Sequence, residues 1–276
     1  MIPNPFDYYQ PATLQEAQDA YAQLAARKRE PLYYAGGSEI LTMARVGSIR
    51  PGAVIDLKAI PECQEMGVTG DKLVIGACAS LSRIAEARDF PLLATTVSRI
   101  ADHTNQVRIT LGGNLCGTIV YREAVLPLLL ADCRVTIQGP KGQRKASIHE
   151  CFDQRIRLEP GEFVVNCIID NQYRNLPYVH AKRTKDEKID YPLITLAATK
   201  GQDGIRAAFS GLCSYPFRSR ELEKLLNGDM TPQEKAQAIA VHLPEEPMTN
   251  LLGSSAFRVY VLKEMIANML DRLGGM

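Results

Sequence analysis

The sequence lacks the common motifs of nucleotide binding and of hydrolytic catalysis. It contains no G-x-G triplet of the Rossmann fingerprint and no G-x-x-x-x-G-K-[ST] phosphate loop, so a dinucleotide bound here must be held in another way. It also lacks a Gly-x-Ser-x-Gly elbow. The four histidines stand in unlike contexts: His103, His149, His180 and His242. We therefore predict no catalytic triad, and we expect each histidine to lie at the surface or to be satisfied within the core.

An excess of one charge and long apolar runs are also missing. The chain of 276 residues carries 32 Lys and Arg against 31 Asp and Glu, which provides no general field for nucleic acid. No apolar run approaches the roughly 18 residues that span a bilayer, and the N-terminus lacks the basic and apolar regions of a signal peptide. The sequence thus predicts a cytoplasmic protein with no membrane span and no nucleic-acid partner.

Paired cysteines are absent as well. The seven cysteines are an odd number and include no C-x-x-C pair, which argues against a disulfide framework and against a zinc or iron–sulfur site within the chain. We expect buried free thiols and no bound metal.

What the sequence does contain is a mixture of strand and helix patterns. Thr13 and Glu16 form a capping-box pattern that begins a helix, and Arg134–Ile148 reads as a hairpin that turns between Gly139 and Gly142. Further strands are predicted near residues 32–35, 54–57, 72–79, 162–169, 178–183, 192–200 and 205–213. Further helices are predicted within 80–100, over 123–131 and after residues 218, 231 and 254. The pattern is that of an α+β fold.

The final helix carries an apolar stripe, and a polar stretch precedes the last strands. The stripe consists of Leu262, Met265, Ile266, Met269 and Leu273. We expect it to pack in the core, with docking of another subunit as the alternative. A domain boundary falls near the segment NQYRNLP, residues 171–177.

Two Gly-Gly pairs follow strand-like runs, in YYAGGSEIL and in TLGGNL. Glycines after a strand let backbone N–H groups point into one concavity and let a phosphate approach closely. Each pair alone could equally be an ordinary turn.

The order of these segments is more specific than either glycine pair. YAGGSEIL, PGAVIDLKAIPE, KLVIGACASLSRI, TLGGNL, a G-x-x-G hairpin, EFVVNCII and YVHAKR follow one another along the chain. In this order, from about Phe6 to Leu273, the sequence resembles the FAD-binding subunit of molybdenum hydroxylases. That family includes the flavin subunits of bacterial xanthine dehydrogenases, carbon monoxide dehydrogenase and nicotinate dehydrogenase.

The resemblance implies a fold. It implies a two-subdomain FAD-binding domain of the vanillyl-alcohol-oxidase/p-cresol-methylhydroxylase type over residues 1–172, with subdomains of roughly 1–57 and 58–172. It further implies a C-terminal domain of a three-stranded antiparallel sheet with helices over residues 173–276.

The resemblance also implies which residues contact non-covalently bound FAD. The first glycine loop contributes Tyr34, Ala35, Gly36, Gly37, Ser38, Glu39 and Ile40, mainly through backbone N–H groups. The second contributes Thr110, Leu111, Gly112, Gly113 and Asn114. Four further positions match the family pattern: Glu123, where the family has Asp, and Val164, Lys182 and Asp190. From the residues alone, Lys182 reads as a surface lysine at a strand end, and Asp190 reads as a turn or cap residue.

One segment departs from the family. The small S-P-x-x-D run that follows the Asn is replaced by TIVYRE. We expect the bulky Tyr121 and Arg122 to alter access to the flavin ring.

By resemblance, the chain is an oxidoreductase subunit with no catalytic side chain of its own. Substrate is hydroxylated at a molybdopterin centre in a large partner subunit, and electrons pass through [2Fe–2S] clusters of a small partner subunit. FAD on this chain collects them for NAD or another acceptor. The loop Gly-Ser-Glu leans towards purine or xanthine oxidation. Two alternatives stay open: a stand-alone FAD oxidoreductase, and a degenerate scaffold subunit that has lost FAD.

Overall fold

A three-stranded parallel sheet begins the chain in the computed structural model, which describes residues 2–185 and 189–275. Its elements are β1 (Asp7–Tyr9), α1 (Leu14–Ala26), β2 (Pro31–Tyr34), α2 (Ser38–Arg45) and β3 (Ala53–Asp56). The strand order is β1-β3-β2, and both pairings are parallel. Helix α1 is confirmed, and the Thr13 hydroxyl caps it by accepting from the Glu16 N–H at 3.1 Å.

A five-stranded antiparallel sheet follows, in the order β4-β5-β10-β6-β7. Its strands are β4 (Met66–Thr69), β5 (Lys72–Gly76), β6 (Arg134–Gly139), β7 (Gly142–Ser147) and β10 (Phe163–Asp170). The predicted hairpin is β6–β7, with Gly139 paired to Gly142. Helices and one small hairpin accompany it: α3 (Pro61–Gln64), α4 (Leu81–Ala87), α5 (Pro91–Val97), α6 (His103–Gln106), α7 (Leu111–Cys116), α8 (Val125–Leu130), α9 (Ile148–Cys151), β8 (Phe152–Asp153) and β9 (Arg155–Ile156).

The C-terminal part contains an antiparallel sheet in the order β11-β12-β13-β14, covered by helices. Its elements are β11 (Tyr178–Thr184), β12 (Pro192–Gly201), β13 (Gly204–Ser210), β14 (Phe217–Arg218), α10 (Arg220–Leu226), α11 (Pro232–Val241) and α12 (Ser255–Gly274). The three predicted strands are present. The additional two-residue β14 pairs with β13, because Phe217 is buried and stacks on Phe209 with ring centroids 5.3 Å apart.

Buried apolar residues form three clusters. One lies between α1 and the parallel sheet, and a second between the five-stranded sheet and helices α4, α5, α7 and α8. A third lies between the C-terminal sheet and α10 to α12. All five residues of the predicted stripe on α12 are buried in the third cluster, so the stripe is core. The proposed domain boundary at residue 172 stays a prediction.

The cysteines are free thiols, as expected, and six of the seven are buried. Cys116 differs, since it is exposed. Within residues 2–185 and 189–275 no helix is long and apolar enough to cross a membrane. The same residues contain no cluster of His, Cys, Asp or Glu suited to a metal ion.

Candidate cofactor site

The first glycine segment, residues 34–40, joins the end of β2 to the start of α2. Gly37 precedes the helix with φ +72°, a left-handed conformation that favours glycine, and no side chain caps the helix. The N–H groups of Ser38, Glu39 and Ile40 occupy the first turn of α2, where a helix offers no backbone acceptor. Such a row of free donors at the positive end of a helix suits an anion.

An ion pair between the partly exposed Lys58 and the buried Asp56 fixes the start of this segment. The Nζ of Lys58 donates to the carbonyl oxygen of Ala35 at 2.9 Å and pairs with Asp56 at 2.7 Å. It also lies 4.6 Å from the centroid of the Tyr34 ring. Asp56 accepts from the Tyr8 hydroxyl at 2.5 Å, and this hydrogen bond, more than burial, raises the pKa of Tyr8 to about 12. The loop therefore leaves β2 in a defined direction.

The second glycine segment, Thr110–Asn114, is mostly helical, so the predicted turn is wrong. Helix α7 begins at Leu111 because the Thr110 hydroxyl caps it, accepting from the Gly113 N–H at 3.2 Å. A Cβ added at Gly112 would lie 2.6 Å from the Cβ of Ala77, so close packing requires this glycine. At Gly113 an added Cβ would meet only the Thr110 hydroxyl within 4 Å. Of these two glycines, only Gly113 is exposed.

The accessible face of α7 carries almost no side chain. Gly113 and Cys116, three residues apart, are exposed, whereas Leu111, Gly112, Asn114 and Leu115 are buried. Surrounding protein nevertheless raises the pKa of the Cys116 thiol to about 12 by desolvation.

Direct contacts bring the two glycine segments together. A Cβ added at Gly36 would overlap the carbonyl oxygen of Arg108, which lies just before the second segment. The Glu39 carboxylate accepts from the Thr118 N–H at 2.9 and 3.0 Å and also from the Thr118 hydroxyl. Its Oε2 would lie 2.7 Å from a Cβ at Gly117. The first turn of α2 and the end of α7 therefore lie side by side, and the place where they meet is here called the crevice, with α2 and α7 as its walls.

Glu123 and Lys182 are also brought together, in a buried ion pair. The Nζ of Lys182 lies 3.0 Å from Oε2 of Glu123 and donates to the carbonyl oxygen of Arg99 at 2.8 Å. The Thr195 hydroxyl donates to Oε1 of Glu123 at 2.6 Å. Burial raises the pKa of Glu123, and the charge of Lys182 opposes the rise. Reading Lys182 as a surface lysine is wrong, because its side chain is 1% exposed.

The two remaining predicted site residues are Val164 and Asp190. Val164 is buried on β10 within the second core cluster. Asp190 accepts from the Tyr191 N–H at 2.6 Å, which fits the turn role of this residue. Tyr191 stacks on Tyr121, with ring centroids 4.9 Å apart. The effect of Tyr121 on access to the flavin stays a prediction.

Three histidines fit the prediction and one does not. His103 is exposed, His149 pairs with Asp132 at 2.8 Å, and His242 contacts the Ala238 carbonyl oxygen at 2.8 Å. Both ring nitrogens of His180 are buried without a hydrogen-bond partner. The sequence offers no signal for this, because the elements that cover the ring are distant along the chain.

The sequence matches a family model over residues 4–170, more than half of the chain. That family is described as the FAD binding domain in molybdopterin dehydrogenase. The chain belongs to this family. FAD is therefore the cofactor of its relatives, as the resemblance implied.

Individual relatives and a solved structure extend the similarity over the whole chain. The nicotinate dehydrogenase FAD-subunit of Eubacterium barkeri is 23% identical, with 98% of each chain covered. The caffeine dehydrogenase subunit beta of Pseudomonas sp. (strain CBB1) is 25% identical, with 89% of this chain and 86% of that protein covered. The carbon monoxide dehydrogenase structure from Hydrogenophaga pseudoflava matches with a TM-score of 0.87 at 24% identity, covering 100% and 99% of the two chains. At this identity the structural match shows the fold.

The crevice fits FAD as a member of this family would bind it. The uncapped first turn of α2 offers backbone donors for a pyrophosphate, and the bare face of α7 beside Gly113 allows close approach. FAD would supply the electron-transfer chemistry, and the protein would supply binding, orientation and electrostatics.

Proposed function

We propose that this chain is the FAD-binding electron-transfer subunit of a cytoplasmic molybdenum hydroxylase complex. Its partners are a large molybdopterin-binding subunit and a small subunit with [2Fe–2S] clusters, and NAD or another acceptor takes the electrons. One observation supports the proposal: in a chain of an FAD-binding family, the two glycine segments lie side by side, in contact through Gly36 and Glu39.

Different residues of the chain contact different parts of FAD. The N–H groups of Ser38, Glu39 and Ile40 are the donors for the pyrophosphate, and Gly113 provides the open approach. We retain the predicted contacts of the other site residues as part of the proposal: Tyr34, Ala35, Gly36, Gly37, Thr110, Leu111, Gly112, Asn114, Glu123, Val164, Lys182 and Asp190. No side chain acts as acid, base or nucleophile, because the redox chemistry belongs to the cofactor.

The substrate proposal is a purine or related N-heterocycle. The relatives support this class, since one is named for caffeine, a purine, and another for nicotinate. Substrate would bind on the large partner subunit, so no residue of this chain selects it.

The test has two steps. The purified chain is titrated with FAD, and binding is followed by flavin fluorescence and by thermal shift; saturable binding of one FAD per chain supports the proposal. The intact complex is then isolated with its partners and assayed against purines and N-heterocycles, with and without NAD. A chain that binds FAD but purifies without molybdenum and iron–sulfur partners would point to the stand-alone oxidoreductase.

One observation favours the scaffold alternative. Glu123 and Lys182, both expected to contact the flavin, bond to each other in the protein interior. A scaffold that has lost FAD would use them only for stability. Failure of the chain to take up added FAD while it still assembles with both partners would establish this alternative.

A further inference from the structure

Lys58 uses all of its hydrogen-bonding capacity inside the chain, although part of its side chain reaches solvent. Its Nζ donates to the carbonyl oxygen of Ala35 at 2.9 Å and to Oδ1 and Oδ2 of Asp56 at 2.8 and 2.7 Å. An ammonium group has three donors and no acceptor. Lysines near a protein surface usually keep this group in water, so the inward direction of Lys58 is unusual.

Asp56 holds the ammonium group of Lys58 beside Ala35. The Asp56 side chain is buried, and it accepts from the Tyr8 hydroxyl at 2.5 Å and from the Lys58 N–H at 3.0 Å. These two hydrogen bonds fix the carboxylate, and its charge attracts the Nζ of Lys58. The same Nζ lies over the Tyr34 ring, 4.6 Å from its centroid. Lys58 is therefore positioned by residues on β1, β2 and β3.

The bond from Lys58 sets the orientation of the peptide group between Ala35 and Gly36. A trans peptide group is planar, so its C=O and its N–H point in opposite directions, and the described residues contain no cis peptide bond. Because the Ala35 carbonyl oxygen points at Lys58, the N–H of Gly36 points away from it. No atom of the described residues accepts a hydrogen bond from this N–H. The peptide group therefore presents a free donor on the side opposite Lys58.

The four residues after Gly36 continue this row of donors. Gly37 lies in the left-handed region with φ +72°, and residues 38–40 form the first turn of α2. Within the part of the chain that the structure describes, their N–H groups also lack an acceptor, and none of these residues is buried. Successive free backbone N–H groups around a left-handed residue form a concavity that binds anions. Gly36 supplies the first donor of this row.

Arg108 holds the same part of the backbone from another side. A Cβ added at Gly36 would overlap the carbonyl oxygen of Arg108, so Gly36 lies directly against the segment that precedes α7. The peptide group is thus fixed by Lys58 at its oxygen and by Arg108 at the next α-carbon.

Lys200 shows a lysine–carbonyl bond that serves the fold alone. Its Nζ donates to the carbonyl oxygen of Leu273 at 2.9 Å. Leu273 lies in the last turn of α12, where carbonyl oxygens have no partner within the helix. Lys200 thus supplies a donor that the helix end lacks. The bond from Lys58 to Ala35, just before the first turn of α2, instead leaves one more N–H free.

We propose that Lys58 is a positioning residue for the pyrophosphate of FAD: it orients the Ala35–Gly36 peptide group so that the Gly36 N–H joins the donors of α2. The inference rests on the proposed FAD-binding function. Lys58 does not contact the cofactor itself, because its three donors are occupied by Ala35 and Asp56. Its contribution passes through one peptide group.

The first test is the substitution Lys58→Met, which keeps most of the side-chain length and removes its donors. We expect the affinity for FAD, measured by fluorescence titration of the apoprotein, to fall about tenfold, equivalent to about 1.4 kcal/mol. ADP also carries a pyrophosphate and should lose affinity by the same factor. Lys58→Arg keeps the charge and the donors and should restore most of the lost affinity.

Lys200→Met is the matched control, because it removes a lysine–carbonyl bond of the same length in the C-terminal part. It should leave the FAD affinity unchanged. Lys58→Met should lower the melting temperature, since Asp56 loses its counter-ion, so binding is measured below the melting temperature of every variant. Unchanged FAD affinity in Lys58→Met, an equal loss in Lys58→Arg, or an equal loss in Lys200→Met would overturn the role of Lys58.

A second measurement needs no variant and decides the matter if Lys58→Met folds poorly. In amide spectra of the isotope-labelled apoprotein, the resonance of Gly36 should shift on titration with ADP together with those of residues 38–40, because each N–H gains a charged acceptor. Gly142, in the β6–β7 turn, should keep its position. A Gly36 resonance that stays unchanged while those of α2 shift would refute the proposal. A wild-type chain that binds neither FAD nor ADP would instead refute the proposed function.

Discussion

At the scale of single residues, the glycines of the site serve two different purposes. Gly36 and Gly112 are required because backbone or side-chain atoms of the protein stand where a Cβ would be. Gly113 differs because it is exposed and an added Cβ there would meet only the Thr110 hydroxyl within 4 Å. A Gly-Gly pair in a sequence therefore signals contact between segments of the chain as much as contact with a ligand.

We predict that Gly36→Ala separates the two walls of the crevice. The new methyl group would overlap the carbonyl oxygen of Arg108, which cannot move without its backbone. The expected loss is about 1–3 kcal/mol of unfolding free energy, measured by urea denaturation, together with weaker FAD binding. Gly67→Ala is the matched control, because a Cβ there meets nothing within 4 Å. Equal stability of both variants would show that the walls do not depend on this contact.

His180 gives the protein a predictable dependence on pH. Burial, with the charges of Arg99 and Lys182, lowers its pKa from 6.5 to about 4. The unfolded chain then binds more protons than the folded one between these values, so stability falls as pH decreases from 6.5 towards 4.

The loss attributable to His180 should reach about 2 kcal/mol at pH 5 relative to pH 7. It is measured as the difference between wild type and His180→Gln in urea denaturation at both pH values, since the carboxylates titrate in both proteins. His103→Gln, which alters an exposed histidine, should behave as the wild type. An identical pH dependence in His180→Gln would contradict the assignment.

At the scale of elements, helix α8 is fixed at both ends to the C-terminal sheet. Glu123, just before the helix, bonds to Lys182 and Thr195. In its last turn, the carbonyl oxygen of Leu129 accepts from Arg218 at 2.7 Å. Asp132 then pairs with Arg206 and Arg218, at 2.8 and 2.7 Å. The helix that follows the second glycine segment is thus also the main attachment of the C-terminal strands.

Asp132→Asn tests this attachment without disturbing the backbone. Asp132 has φ +45°, and asparagine tolerates this left-handed region well. Loss of the carboxylate removes one acidic partner of Arg218. The side chain of Arg218 is 2% exposed. We expect a destabilisation of about 2–4 kcal/mol, measured by chemical denaturation. Asp153→Asn, which breaks an exposed pair with Arg157, should cost less than about 1 kcal/mol.

Elements with local signals were predictable, and elements that depend on distant contacts were not. Helix α11 begins where Thr231, Pro232 and Glu234 indicate, and the capping box is present. Strand β1 was missed because its three residues are defined by pairing with β3. Helix α7 was read as a turn because glycines disfavour helix, yet packing against Ala77 and the Thr110 cap override that preference.

The same distinction between local signals and distant contacts applies to the candidate site. The two glycine segments could be identified in the sequence, whereas their contact could not, because Glu39 and Thr118 are 79 residues apart. The burial of Arg122 was equally hidden, since it depends on Phe152 and Gln154. From the sequence alone, only the bulk of the Arg122 side chain could be recognised.

At the scale of the whole molecule, the seam between residues 4–170 and the C-terminal strands combines apolar contacts with buried polar groups. The Glu123–Lys182 pair lies within it, with side chains 3% and 1% exposed. Buried pairs contribute little net stability compared with apolar contacts, but the loss of one partner is costly. The seam therefore specifies one relative placement of the two parts more than it strengthens the fold.

A double-mutant cycle on this pair separates structure from cofactor binding. We expect Glu123→Gln and Lys182→Met each to cost about 3 kcal/mol, and the double variant to cost clearly less than their sum. Urea denaturation of the apoprotein gives the coupling energy, and FAD titration gives the effect on binding. Additive stability losses would mean that the two side chains do not depend on each other.

The contacts of Gly36 with Arg108 and of Glu39 with Thr118 have a consequence for how the cofactor is acquired. They order both walls of the crevice through protein atoms alone. The conformational entropy of these segments is therefore lost when the chain folds, and little more is lost when a ligand binds. If FAD binds here as proposed, the folded chain can therefore accept it without a large ordering step.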